Sequence, residues 1–469
     1  MADNKKKQYE YVYKRTSCYD VWDNKTFKEV DKFAQDYISF LNNNKTERLC
    51  VKNWQAMLEK LWYKDIDKIW NNMKAGDKAF YTFRNKNLFA IVKGKKSIKE
   101  WFRLICAHID SPRIDLKYIP FYDSDGFCLL KTHYYGWIKK YQRVTIPLSM
   151  IWVVFDKNGK KVEINIGEED TDPVFFLSDL LPHLGAEQMK KDWSKVIEAE
   201  DMNLIVGSAY SPAKEEKPKE NILKLLFEKY WITEKDFTGA EIEIVPNSKA
   251  REIWFDRSLI WWYGHDDRAC SYTAMRALMD YKGTPEYTTI IYWVDKEEIG
   301  SLGATSAESR VFRNLVSKLY SFEDKNFSMV DLNEIFFRSK AISADVPAIM
   351  DPSFKSAFDP LNTAIVNHGV ILEKYTWARW KYHANDADAE YVAELKNHFD
   401  KTNVIYQFGG LGKVDLWGWG TISMHFAQLG INIIDMWVGI LSTHAPIEVL
   451  SKADLYATYQ AYKSFIDLK

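Results

Sequence analysis

The chain is short of cysteine, of glycine and of net charge, and each shortage excludes something. Cys18, Cys50, Cys106, Cys128 and Cys270 are odd in number, scattered and without CxxC spacing. That excludes a disulfide framework and a cysteine-built zinc site, and it fits reduced thiols in cytoplasm. A net charge of −1 over 469 residues leaves no positive excess to drive counterion release, so nucleic acid is not an expected partner. The cluster Lys5-Lys6-Lys7 reads as a solubilising tail. No apolar run reaches bilayer-spanning length and no early stretch resembles a signal peptide, so a cytoplasmic protein without a membrane partner is expected. The glycine shortage has a counterpart: 21 Gly stand against 18 Trp, low and high for a soluble chain. Tryptophan also occupies turn-like places such as Trp417-Gly418-Trp419-Gly420.

What is present is core and surface enough for two domains, with 46% hydrophobic and 28% charged residues. The apolar, β-branched run Thr288–Val294 predicts a buried strand of a parallel sheet. It leads into Asp295-Lys296-Glu297-Glu298-Ile299-Gly300-Ser301, three carboxylates where open α/β sheets place their sites. Val30, Phe33, Tyr37, Ile38 and Leu41 have helical spacing within residues 27–43, and a second helix is expected at Trp54–Leu61. Ala79–Arg84 and Leu88–Val92 read as a strand pair, and 102–107 as a buried strand ending in His108-Ile109-Asp110. From Leu116 to about Val245 the texture turns strand-rich, with a hairpin turn at Asp156-Lys157-Asn158-Gly159. This predicts an inserted domain over 117–245, between catalytic halves at 1–116 and 246–469. The fold class expected is α/β, a mixed central sheet flanked by helices, plus the β-rich insert. Ala269–Leu278 and Lys452–Ile466 read as helices.

His108, Asp266, Glu298, Asp345 and His444 each fall at a strand end or helix start beside a small residue or turn. Two imidazoles with carboxylates suit Zn²⁺, Mn²⁺ or Co²⁺ and are too nitrogen-rich for Ca²⁺. Charge counting favours two metals: three carboxylates and a hydroxide balance two dications, leaving one acid as base. Two metals about 3.5–4 Å apart could share a carboxylate and a water and polarise a carbonyl. Each residue also has a plainer reading, as an N-cap, a core-edge histidine or a solvated acid.

The ordered motifs Ala107-His108-Ile109-Asp110-Ser111-Pro112, Gly264-His265-Asp266-Asp267-Arg268, Asp295–Ser301, Ser343-Ala344-Asp345 and Ser442-Thr443-His444-Ala445-Pro446 resemble those of the aspartyl aminopeptidase/aminopeptidase I family of dinuclear zinc metallopeptidases. The similarity runs from about Lys28 to the C-terminus. It implies that His108 binds one zinc and His444 the other, that Asp266 bridges them, and that Glu298 and Asp345 complete the shells. It makes Glu297 the general base and Asp110 the residue orienting His108. It also implies that the insert is a dimerisation domain in a dodecamer, where a neighbour's insert reaches the active site, with His133 a candidate contributor. Lys374 falls where members carry a lysine near the substrate side chain, favouring acidic N-terminal residues of a peptide substrate. Two other readings stay open: a catalytically impaired scaffold that keeps the assembly, and a metal-dependent hydrolase of other amides.

The resemblance further implies glycine where this chain has Trp101, Trp137, Trp152, Trp231, Trp254, Trp261, Trp377, Trp380, Trp417, Trp419 and Trp437. Glycine permits φ > 0 and close backbone approach, and an indole is wrong for both. A gene that uses UGA for glycine, translated as if UGA meant tryptophan, accounts for a one-directional change. A degenerate paralogue is the rival account, and crowding is expected around Trp417 and Trp419.

Overall fold

The computed structural model describes residues 11–69, 73–211, 217–326, 328–378, 383–410, 412–416, 418 and 420–468. Trp380, Trp417 and Trp419, and with them the expected crowding, lie outside the described residues. The architecture is mixed α/β. A nine-stranded sheet runs, edge to edge, through Lys64–Asp65, Lys78–Phe83, Asn87–Val92, Thr288–Val294, Phe102–His108, Lys340–Ala344, Asn432–Trp437, Val370–Glu373 and Tyr406–Phe408. Its four central strands, from Thr288–Val294 to Asn432–Trp437, are mutually parallel. They are buried almost throughout, which explains why they read as continuous apolar runs rather than as alternation. Val294 pairs with His108 and Ala344 with Ala107, so three strands finish level with one another.

Helices cover both faces. His265–Met279, Asn24–Asn43 and Lys452–Phe465 share one apolar cluster, in which Trp293 donates its indole N–H to the Ser271 carbonyl at 2.9 Å. Val311–Glu323 and Met329–Arg338 pack on the opposite face. The helix expected at 54–61 spans Glu47–Lys60. Its first turn escapes an apolar periodicity because its N-cap is Thr46 and its first residue is a fully buried glutamate.

Residues Arg113 to Pro246 supply a second, wholly antiparallel sheet of seven strands, with its own apolar core and the helix Pro218–Tyr230 against it. A third sheet of four short strands ties Leu259–Trp262 to Glu448–Ser451. No helix among the described residues is long and apolar enough to cross a membrane.

The tryptophans divide by backbone. Trp231 and Trp254 have φ of +60° and +65°, and Trp62, which sequence reading did not single out, has +66°. All three are exposed. Trp152 and Trp437 instead lie buried in strands, and Trp101 stacks on Tyr287 at 3.9 Å. A left-handed backbone, where an indole is strained, therefore marks Trp231 and Trp254 and not the strand positions.

Candidate metal centre

The parallel strands deliver their functional side chains at their carboxyl ends, the edge where open α/β sheets bind ligands. His108 is the last residue of its strand, and Asp345 directly follows Lys340–Ala344. Glu297 and Glu298 sit in a tight turn after Thr288–Val294, flanked by left-handed Lys296 and Gly300. Asp266 lies in a non-helical kink (φ −79°, ψ 109°) within the first turn of His265–Met279, two residues after Gly264, whose φ is +75°. A Cβ on Gly264 would stand 2.2 Å from the Arg268 guanidinium and 2.8 Å from Ser111 Oγ, so only glycine fits. His444, with φ +66°, lies in the loop between Ile440–Leu441 and Glu448–Ser451.

His108, Asp266, Glu298, Asp345 and His444 converge. Asp266 Oδ1 is 3.0 Å from His108 Nε2, and its Oδ2 is 3.1 Å from His444 Nε2. Asp345 Oδ1 stands 3.5 Å from His108 Nε2, and Glu298 Oε2 3.5 Å from His444 Nε2. Two groups of donors result, His108–Asp266–Asp345 and Asp266–Glu298–His444, with Asp266 common to both. Glu297 joins His108 and Glu298 in a third.

The electrostatics are those of a crowd of acids. Burial pushes the Glu297 carboxyl up to about 8, helped by the charges of Asp345, Asp110 and Asp266 against the opposing pull of His108. Burial also raises Glu298 well above the carboxylate range, and His444 only partly offsets it. For His444 burial acts downward, but Glu298 and Asp266 outweigh it and lift the imidazole to about 10. Bound cations would reverse the pressure on the carboxyls. The donor set fits such cations. Nitrogen and oxygen ligands at roughly 2.0–2.1 Å around a tetrahedral centre stand about 3.3 Å apart, against 3.0–3.5 Å here. Glu298 Oε1 is buried without a hydrogen-bond partner, a lone pair aimed at nothing the chain supplies.

Residues 40–466 match the profile of the M18 peptidases, described as aminopeptidase I zinc metalloproteases. A probable M18 family aminopeptidase 1 from Clostridium acetobutylicum is 42% identical over 456 residues, covering 96% of this chain and 98% of the relative. The crystal structure of an M18 aminopeptidase from Thermotoga maritima superposes with a TM-score of 0.93 at 38% identity, covering 98% of this chain and all of that one. The chain belongs to the M18 family of zinc metallopeptidases. A more distant fold relative is the yeast protein solved as an mApe1 dodecamer, with a TM-score of 0.74 at 20% identity over 93% of this chain and 97% of that one.

Within this M18 chain the surrounding layer holds what sequence reading missed. Glu448 is buried and accepts the backbone N–H of His444 at 2.7 Å and of Asp266 at 3.1 Å, one carboxylate fixing both segments. The Trp137 carbonyl accepts from His444 Nδ1 at 2.8 Å, leaving Nε2 toward Asp266 and Glu298. Arg143 donates to the His444 carbonyl at 2.8 Å. Asp110 meets His108 Nδ1 with its main-chain carbonyl at 3.0 Å, and its carboxylate is farther, at 3.5 Å. That carboxylate instead accepts the amides of Glu297 and Glu298, both at 3.2 Å. The partner nearest His108 Nδ1 is thus the Asp110 carbonyl, not the carboxylate expected to orient the ring.

Two candidates do not join the cluster within this chain. His133 lies on the inserted sheet, opposite Asp115 and stacked on the exposed Tyr134. Lys374 follows the strand Val370–Glu373 and forms an ion pair with Asp386, so its ammonium is already matched.

Proposed function

We propose that the protein holds two zinc ions and removes single residues from the amino termini of peptides. The observation that carries this reading is the Asp266 carboxylate, whose two oxygens face two different imidazoles at 3.0 and 3.1 Å, as a bridging ligand must. On this reading His108 and Asp345 complete one shell, and His444 and Glu298 the other. When bound, the ions polarise the scissile carbonyl and bring the pKa of the attacking water near neutrality. Glu297 accepts the proton of that water and hands it to the departing amine, the work of a general base that then acts as an acid. Asp110 and Glu448 keep the turn and the two imidazoles in register. Manganese or cobalt suits the same donors.

The test combines metal analysis with one variant. Zinc-loaded protein is expected to carry two equivalents per chain and to cleave only peptides with a free α-amine. Glu297→Gln is expected to lower kcat by about 10²–10⁴-fold with zinc content unchanged. Wild-type turnover by that variant, or zinc-loaded protein that turns over nothing, would sink the assignment; the latter would favour the scaffold reading. Preference for acidic N-terminal residues is the finer part. Lys374 is its candidate cation, and because that ammonium is paired with Asp386, aspartyl against leucyl substrates decides it: parity in kcat/KM removes the preference.

A homo-oligomer joined through the inserted sheet is part of the same reading, supported by the dodecameric fold relative and by Tyr118, Ile119 and Leu225 exposed on the insert. Sedimentation of a single-chain species would overturn it. The five buried thiols, none in a disulfide, support work in a reducing cytoplasm.

A further inference from the structure

The inserted sheet reaches the metal centre through one short segment. Tyr135 ends the strand Phe127–Tyr135, and its hydroxyl donates to Asp110 Oδ2 at 2.9 Å. That oxygen also accepts the Glu298 amide, while Oδ1 accepts the Glu297 amide. Asp110 is fully buried, so its carboxylate depends on such donors. The next residue, Gly136, has φ +78°, and a Cβ there would meet Glu298 Oε2 at 3.2 Å and Glu298 Cβ at 3.3 Å. The following carbonyl, of Trp137, takes the Nδ1 proton of His444. Three consecutive residues of the insert thus reach the Asp110 carboxylate that holds the Glu297–Glu298 turn, the Glu298 side chain and the His444 ring.

The Tyr135 ring is itself fixed. The Arg113 guanidinium lies 3.9 Å from its centroid, and Arg113 is held in turn by Asp115 at 2.8 Å and by Glu47 and Glu243, each at 3.4 Å. A phenol restrained on its ring face and bonded at its oxygen loses little further freedom when it orients a carboxylate.

We propose that Tyr135 is a positioning residue for the metal centre, and that segment 135–137 makes the inserted sheet part of that centre rather than an assembly element alone. The proposal rests on the two-zinc reading. Tyr135 acts through Asp110, which fixes His108 on one side and the Glu297–Glu298 turn on the other; Gly136 lets the backbone close over Glu298. A ring that merely filled the junction between the two sheets would do neither.

The experiment is chelator competition for zinc on full-length protein, with kcat and KM measured at saturating zinc. Tyr135→Phe keeps the ring and its contact with Arg113 and removes only the O–H. Zinc affinity is expected to fall about 10–100-fold, the usual effect of removing an outer-layer partner, and kcat to fall while KM stays. Gly136→Ala, which presses on Glu298, is expected to weaken zinc as well, and it keeps the test alive if the first variant does not fold. Tyr141→Phe, at an exposed ring, serves as the unchanged control. Wild-type zinc affinity in both Tyr135→Phe and Gly136→Ala overturns the proposal alone. A wild-type chain that takes up no zinc overturns the two-zinc reading and this proposal with it.

Discussion

Two largely buried clusters of charge lie close together in this molecule, joined through Arg113, Tyr135 and Asp110, and they are balanced in opposite ways. At the junction between the central and inserted sheets, Glu47, Asp115, Glu241 and Glu243 face Arg48, Lys86 and Arg113. Burial pushes Glu47 up, but Lys86 and Arg113 outweigh it and hold the carboxyl well below its ordinary range. The excess of acids shows at Glu243 and Asp115, both of which burial raises against the pull of Arg113. The chain supplies almost every charge that junction needs. At the metal centre Asp266, Asp345, Glu297 and Glu298 meet two imidazoles, form no ion pair with lysine or arginine among the described residues, and have only the Arg143 guanidinium near, acting on Glu298 from its bond to the His444 carbonyl. A buried set of acids left so short of cations is costly unless ions from outside complete it. The first cluster is built for the fold, and the second for something the fold must acquire.

The largest effect separates the clusters by what each carboxyl does to stability. Glu298→Gln is expected to cut activity on the order of 10³-fold, several kcal/mol of transition-state stabilisation, and to lower zinc content. Yet in chelator-treated protein the same change is expected to leave the melting temperature unchanged or higher, because one repelling acid has gone. A marked drop in the melting temperature of metal-free Glu298→Gln would break the contrast. Glu47→Gln is expected to do the reverse: the fold loses about 3 kcal/mol because Lys86 and Arg113 lose their shared partner, while zinc affinity changes far less than in Glu298→Gln, since Asp115 and Glu243 still hold Arg113 against Tyr135. The pH dependence follows from sign. Glu47 has a folded pKa below its unfolded value, so its contribution is complete above roughly pH 4.3 and fades as pH falls toward the folded value. Denaturant melts of wild type and Glu47→Gln should therefore draw together below about pH 4, and a gap that stays constant would remove Glu47 from the account.

How much of this could be read in the sequence follows the same division. The strand Thr288–Val294, the acids after it and the helix Lys452–Phe465 were legible because burial on both faces, or helical periodicity, leaves a local pattern. Of the five candidate donors that the structure brings together, His108 and Asp345 lie at the end of such a pattern and Asp266 at a helix start, while Glu298 and His444 stand in turns a few residues beyond a strand. Glu448 was not legible: it begins a short antiparallel strand and earns its place through backbone amides of His444 and of Asp266, 182 residues away. Tyr135 and Arg143 are the same case, polar residues in an aromatic, lysine-rich stretch whose partners come from elsewhere in the chain. The start of the helix Glu47–Lys60 was hidden because its buried glutamate breaks the apolar rhythm that sequence reading relies on. The pairing of Lys374 with Asp386, 12 residues on, was hidden for the converse reason, since no spacing rule links the two.

The smallest expected effects come from outside both clusters and serve to calibrate them. Trp231 closes the helix Pro218–Tyr230 in the left-handed conformation, with its N–H on the Phe227 carbonyl at 2.8 Å, the place where helices most often carry glycine. Trp254 has the same backbone hand, and its side chain is largely exposed. An L-residue held there costs about 1–2 kcal/mol, partly offset because glycine adds entropy to the unfolded chain. Trp254→Gly is therefore expected to stabilise by roughly 0.5–1 kcal/mol. Trp231→Gly should gain less, because its indole also contacts Phe227 at 5.4 Å, worth about 0.5–1.5 kcal/mol. Neither change should move zinc affinity. Peptide masses of the protein from its native host bear on the same positions: glycine at 231 and 254 is the outcome expected if UGA encodes glycine in this gene, and tryptophan there ends that account. Should Trp254→Gly prove destabilising, the indole is holding that turn in a way its backbone angle does not reveal, and the surface would no longer be a neutral reference for the two buried clusters.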